Sequence, residues 1–123
     1  MLKTIITPIV LILLYSPSSF GSHSRPEKYY QAAWCSERNG QIEVRLPDGT
    51  RADCITDTHA IEFDFGPKWT EATGQALYYS LQTGKRAGIV LILEDDKDYK
   101  YWLRLNSTIR YFHLPIDTWK VSR

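Results

Sequence analysis

Apolar positions along this chain recur with three different periods, and the changes of period mark its elements. In "PEKYYQAAWCSER" Tyr30, Ala33 and Trp34, with Glu37 a step further, fall at helical spacing behind Pro26. Proline suits a first helical position, Ser24 can cap it, and Asn39-Gly40 closes the segment. The period then drops to two. "QIEVRL" sets Ile42, Val44 and Leu46 on one face, Pro47-Asp48-Gly49 reads as a turn, and "RADCIT" and "HAIEFDF" follow around a second turn at Asp57-Thr58. These three segments predict an antiparallel meander.

Gly66-Pro67 opens a second helical stretch, "PKWTEATGQALYYSLQT", which Gly84 stops, with Lys85 and Arg86 beside the negative end of its dipole. "AGIVLILE", residues 87–94, holds an unbroken aliphatic run, as expected of a strand buried on both faces and paired in parallel. Strand, helix and strand then form a right-handed β-α-β unit. In "DDKDYKYWLRLNSTIRYF" the spacing predicts a helix with Tyr99, Trp102, Leu103 and Ile109 inward, a strand through "YKYWLRL" being the alternative. "PIDTWKV" predicts a last edge strand. The fold class is α/β: helix, three-stranded antiparallel meander, helix, buried parallel strand, C-terminal helix and edge strand.

The first residues have another pattern. Lys3, the apolar run Ile5 to Tyr15 and the small-residue stretch "SPSSFGS" form the three parts of a secretory signal. Pro8 interrupts the run, which falls short of the ~20 residues of a membrane span. Residues 1–22 are therefore expected to be a cleavable signal peptide, with a retained membrane anchor as the rival, and 23–123 a single domain. That domain is expected to be exported, periplasmic or secreted, and without a membrane once the signal is cleaved.

Lys3 is the only charged residue in 1–22, so of the chain's 15 basic and 14 acidic residues the domain keeps 14 of each. A balanced domain does not coat nucleic acid through bulk charge; any such contact needs a local patch, for which Lys85, Arg86, Arg104, Arg110, Lys120 and Arg123 are candidates. Cys35 and Cys54 are the only cysteines. Export permits one disulfide between them, and two buried free thiols are the alternative.

The candidate chemistry lies in "RADCITDTHAIEFDFGPKW", where carboxylates interrupt strands that are otherwise largely apolar. A turn of two or four residues centred on Asp57-Thr58 sets Asp53 directly opposite Glu62, with Cβ atoms ~5 Å apart. Like charges so placed destabilise a sheet unless something positive lies between them. The same register gives Asp64 a partner in Arg51. If Pro47-Asp48-Gly49 forms a three-residue loop, Glu43 joins the row opposite Asp53.

Lys68, Glu71 or Ala72, Gln75 and Tyr79 lie along one helical stripe starting just after the strand that carries Glu62. A cation, an amide and a phenol beside paired carboxylates suit a divalent metal and a phosphate, with Asp53, Glu62 and Glu43 as metal ligands. Carboxylate oxygens bind Mg²⁺ or Mn²⁺, and Mg²⁺ takes further ligands from water and substrate phosphate. Such a metal polarises the phosphodiester and activates water. A solvated acidic face that merely keeps the protein soluble is the simpler reading of the same spacing.

From Pro26 to Glu94 the chain resembles the PD-(D/E)XK nuclease superfamily, with its restriction-endonuclease-like, Holliday-junction-resolvase-like core. The resemblance maps the first acid to Asp53, with Ala52 replacing a variable Pro, and the second to Glu62. A helix-1 acid, Glu27 or Glu37, can complete it, and "GQALYY" looks like a Gln-x-x-x-Tyr motif through Gln75 and Tyr79. Where the family pattern carries Lys two residues after the second acid, this chain has Asp64. Lys68 on the following helix is the candidate replacement.

The resemblance implies a metal-dependent nuclease with Asp53, Glu62 and Lys68 as catalytic residues, Gln75 and Tyr79 positioning the substrate, and nucleic acid as partner. A catalytically silent binding module on the same fold, for an envelope protein or nucleic acid, is the second reading. A small disulfide-stabilised domain with no site is the third.

Overall fold

A computed structural model describes residues 23–122; the expected signal peptide, 1–22, and Arg123 lie outside the described residues. The chain forms α1 (Glu27–Ser36), β1 (Gln41–Arg45), β2 (Arg51–Ile55), β3 (His59–Phe65), a 3₁₀ turn (Gly66–Lys68), α2 (Trp69–Thr83), β4 (Arg86–Leu93), a second 3₁₀ turn (Asp96–Asp98), α3 (Tyr99–Phe112) and β5 (Ile116–Ser122). It is an α/β protein with one five-stranded mixed sheet in the order β1-β2-β3-β4-β5. The first two pairings are antiparallel and the last two parallel.

Both hairpin registers follow from their turns. Leu46 N donates to Thr50 O at 2.7 Å and Gly49 N to Leu46 O at 2.9 Å. Gly49 sits at φ 89°, the left-handed position a three-residue loop requires. Ile42 then pairs with Cys54 and Val44 with Ala52. In the second turn Thr56 Oγ1 accepts the Thr58 and His59 N–H groups at 3.3 and 3.0 Å, and Cys54 pairs with Ile61. The β2–β3 ladder goes no further than that pair toward Arg51.

Apolar packing lies on both faces of the sheet. On one face Tyr30, Trp34 and Cys35 of α1 cover Ile61, Phe63, Phe65, Val90 and Ile92. On the other, Ala72 and Ala76 of α2 and Leu105 of α3 meet Ile89, Leu91 and Leu93. Leu46, Ala52, Ala60 and Tyr79 form a third group. The Cys35–Cys54 disulfide, with both residues fully buried, ties α1 to β2 across 6.1 Å between Cα atoms.

Two local expectations change. Helix 1 begins one residue later than expected: Pro26 is its cap position, and no side chain caps it. In α3 the inward residue is Leu105, flanked by Tyr101, Trp102 and Ile109, while Tyr99 and Leu103 are 47% and 51% exposed. Tyr101, Leu105 and Ile109 are spaced by four and form the stripe that meets the sheet; Tyr99 and Leu103 lie beyond its edge.

Candidate functional site: a buried carboxylate cluster

Ile61, Phe63 and Phe65 of β3 face the α1 layer, so strand alternation turns Glu62 and Asp64 toward the α2 and α3 layer. Their parallel neighbours Ile89 and Leu91 lie in that second core. Both acids are buried, each 6% exposed. The register carries Asp53 opposite Glu62, where the ladder has stopped. There the Asp53 side chain replaces the missing strand partner: its Oδ2 accepts the Phe63 backbone N–H at 2.8 Å.

Burial raises Asp53 above the ordinary carboxylate range, opposed by the Phe63 N–H. Glu62 rises much further, through burial first and the Asp53 charge second. As two carboxylates the pair has no donor between them, and Glu62 Oε2 lacks a hydrogen-bond partner. Of the two, the strongly raised Glu62 is the member that takes up a proton more readily, and in that form it would donate to Asp53.

Two further acids belong to the cluster. Asp64 is raised to about 7 by burial and by Glu27, partly offset by Lys68. Glu27, on the first turn of α1, is also raised to about 7 by burial and Asp53, offset by Gln31 and Lys68. Of the two helix-1 candidates, then, Glu27 stands with the strand acids, whereas Glu37 is exposed beside Arg38 at 3.6 Å. Gln31, one helical turn after Glu27, donates from Nε2 to Glu27 Oε1 at 2.8 Å. It is 1% exposed and its Oε1 has no partner, a role that the spacing of the acids alone does not point to.

Glu43 adds to the charge felt by Asp53 and Glu27 but sits at the margin. Its backbone is left-handed, φ 54°, and its carboxylate meets Arg51 Nε at 3.4 Å. Arg51 therefore pairs with Glu43 and not with Asp64 as the register suggested, because the β2–β3 ladder ends before the two could face each other.

Lys68 ends the 3₁₀ turn after β3, is exposed, and acts electrostatically on Asp64 and Glu27. Among the described residues it makes no direct ion pair. On α2, Tyr79 is buried and raised by burial and by the charges of Glu62 and Asp53, while Gln75 contacts its phenol. Gln75 and Tyr79 thus share a locality with the acid pair.

Two of the other candidate cations are engaged elsewhere. Arg86 grips Asp117 through Nε and Nη2 at 2.9 and 3.1 Å, and Lys85 Nζ donates to Asp57 O at 2.8 Å.

Among the described residues no group of three or more His, Cys, Asp or Glu side chains is arranged to hold a metal ion. Nor is any helix among them long and apolar enough to cross a membrane. No family model, curated protein or solved structure matches the chain.

Proposed function

We propose that the protein is an exported, metal-dependent nuclease that hydrolyses phosphodiester bonds of nucleic acid on a restriction-endonuclease-like core. The element order and the Asp53–Glu62 opposition support the resemblance. One observation carries the reading: a carboxylate buried in the sheet, Glu62, has an oxygen without a donor and stands against Asp53 with Glu27 and Asp64 nearby. Burying like charges costs several kcal/mol unless a counter-charge compensates; Lys68 acts on Asp64 and Glu27, while Arg51, paired with Glu43 at the margin, acts on Asp53.

The Asp53–Glu62 pair, and not a set of three acids, is the part of the cluster that suits a hard divalent cation. Every donor is oxygen, and Mg²⁺ uses one or two carboxylates with water and substrate phosphate rather than an all-protein cage. Asp53 and Glu62 would hold it, with Glu27 and Asp64 as further acids and Glu43 at the margin. When bound, Mg²⁺ or Mn²⁺ would polarise the phosphodiester and stabilise the charge that develops on it. Lys68 is the group to hold or deprotonate the attacking water. Gln75 and Tyr79 position the strand. The Cys35–Cys54 bridge is consistent with an oxidising compartment.

The second reading, a silent nuclease-like module binding an envelope protein or nucleic acid, draws on Asp64 at the family's Lys position and on Lys68 acting on Asp64 and Glu27 instead of the central pair. Incubation of purified protein with plasmid and single-stranded DNA in Mg²⁺ or Mn²⁺ separates the two. Cleavage lost in Asp53→Asn is expected of the nuclease; metal-dependent stabilisation without cleavage of any nucleic acid favours the module. Intact mass from the native host tests export, and a species still beginning at Met1 in the cytosol overturns it.

A further inference from the structure

We propose that the solvent face of α3 is the track on which a single-stranded nucleic acid lies as it reaches the carboxylate cluster; this rests on the nuclease reading and extends it to a surface. In a domain whose acids and bases balance, α3 carries Lys100, Arg104 and Arg110 and no carboxylate, whereas α1 and α2 each include an acid. The apolar stripe of Tyr101, Leu105 and Ile109 is consumed by the sheet. Lys100, Leu103, Arg104, Ser107, Arg110 and Tyr111 remain exposed. From Lys100 to Arg110 the face is ~15 Å long.

The cations are interleaved with rings. Lys100 Nζ and Arg104 Cζ lie 5.1 and 5.5 Å from the Tyr101 ring centre, and Tyr111, 78% exposed, packs edge-on against Phe112. Tyr101 also joins this face to the site. A Cβ on Gly66 would come within 2.8 Å of its ring, so α3 presses on the short turn that ends in Lys68. Cations that pair with phosphates, beside exposed aromatics that accept bases, as Tyr111 and Phe112 can, are the general means of holding single strands. A helix lying on an anionic membrane instead keeps its main apolar stripe for lipid; here the Tyr101, Leu105 and Ile109 stripe packs on the sheet, and the exposed Leu103, Tyr111 and Phe112 stand among the cations.

The test is fluorescence anisotropy of a labelled oligothymidylate in EDTA, where metal-dependent cleavage does not run. Wild type is expected to bind with a salt-dependent affinity. Arg104→Glu and Lys100→Glu are each expected to weaken binding by about tenfold or more and, for each phosphate left unpaired, to flatten the plot of log affinity against log salt by about 0.7. Unaltered melting of the charge-reversal variants shows that the fold is intact, and Arg104→Gln, with an intermediate loss, gives a second variant. No binding by wild type, equal binding by Arg104→Glu, or binding to phosphatidylglycerol vesicles in place of the oligonucleotide overturns the proposal. Binding that depends on Arg104 without any cleavage in Mg²⁺ leaves the track standing and sinks the nuclease reading alone.

Discussion

Asp53 Oδ2 accepts the backbone N–H of Phe63 at 2.8 Å, across the point where β2 and β3 have ceased to pair. One carboxylate thus has two tasks, holding the strands together and contributing charge to the cluster, and substitutions can separate them. Asp53→Asn keeps a carbonyl oxygen for Phe63 and removes the charge facing Glu62, so the metal-free fold should be as stable as wild type or more so. Asp53→Ala orphans a buried N–H and should cost about 1–3 kcal/mol. Denaturant melts compare them, and both variants should lose stabilisation by Mg²⁺ or Mn²⁺. Equal metal-dependent shifts in wild type and Asp53→Asn would refute the metal assignment.

The cluster also sets the pH dependence of the metal-free protein. A carboxyl whose folded-state pKa is raised binds more protons folded than unfolded, so stability falls as pH climbs from the unfolded value to the folded one. For Glu27 and Asp64 that window runs from their ordinary 4.5 and 3.8 to about 7, and Glu62 extends it upward. The apo protein should melt higher near pH ~5 than near pH ~8. Glu62→Gln should flatten the slope and raise the melting temperature at the alkaline end. A wild-type melting temperature that rises with pH over this range would contradict the buried cluster.

The bridge between Cys35 and Cys54 closes a sequence separation of 19 residues, a loop for which chain entropy gives about 3 kcal/mol. Its surroundings leave no room: a Cβ on Gly40 would lie 2.5 Å from Cys35 Sγ and 2.9 Å from Cys54 Sγ. Reduction under denaturing conditions should therefore lower the denaturation midpoint on refolding. Gly40→Ala should destabilise the oxidised protein while sparing the Cys35→Ala/Cys54→Ala double variant much of that cost. Equal effects of Gly40→Ala in both backgrounds would show that the clash is not with the sulfurs.

Much of the fold was legible because short turns fix register. Pro47-Asp48-Gly49 and Asp57-Thr58 determine which residues oppose one another, and from those two loops the Glu43, Asp53 and Glu62 row could be written down. The aliphatic run of β4 likewise announced parallel pairing. The extent of pairing was not legible: nothing in "RADCI" says that the ladder to β3 stops after Cys54, and this is what parts Arg51 from Asp64. Choosing Glu27 over Glu37 needed the tertiary position of α1, since the two acids sit at opposite ends of one short helix. Gln31 carried a faint signal, a polar residue one turn after Glu27 and next to Tyr30 on the buried side. In α3, apolar residues fall at two helical phases: the spacing predicts Leu103 inward, whereas the sheet takes Leu105.

Lys68 is the residue on which the catalytic reading turns. If the protein is a nuclease, attack on phosphorus needs a group that holds the water as an ammonium or takes its proton as a neutral amine, and Asp64 stands at the position where the pattern it resembles has a Lys. Lys68 is exposed, ends a turn that the Gly66–Tyr101 contact holds against α3, and already lowers the pKa values of Asp64 and Glu27. Lys68→Ala should therefore reduce Mg²⁺-dependent cleavage by about a hundredfold or more. The melting temperature of the metal-free protein should drop only slightly, because the lost cation offsets only the outer acids. Asp64→Lys combined with Lys68→Ala should recover part of the activity, since it returns the ammonium to the strand position beside Glu62. If Lys68→Ala cuts as fast as wild type, the proton-handling role does not belong to this side chain. If metal-loaded wild type cuts nothing, Lys68 is an electrostatic screen for Asp64 and Glu27, and the binding-module reading replaces the enzyme.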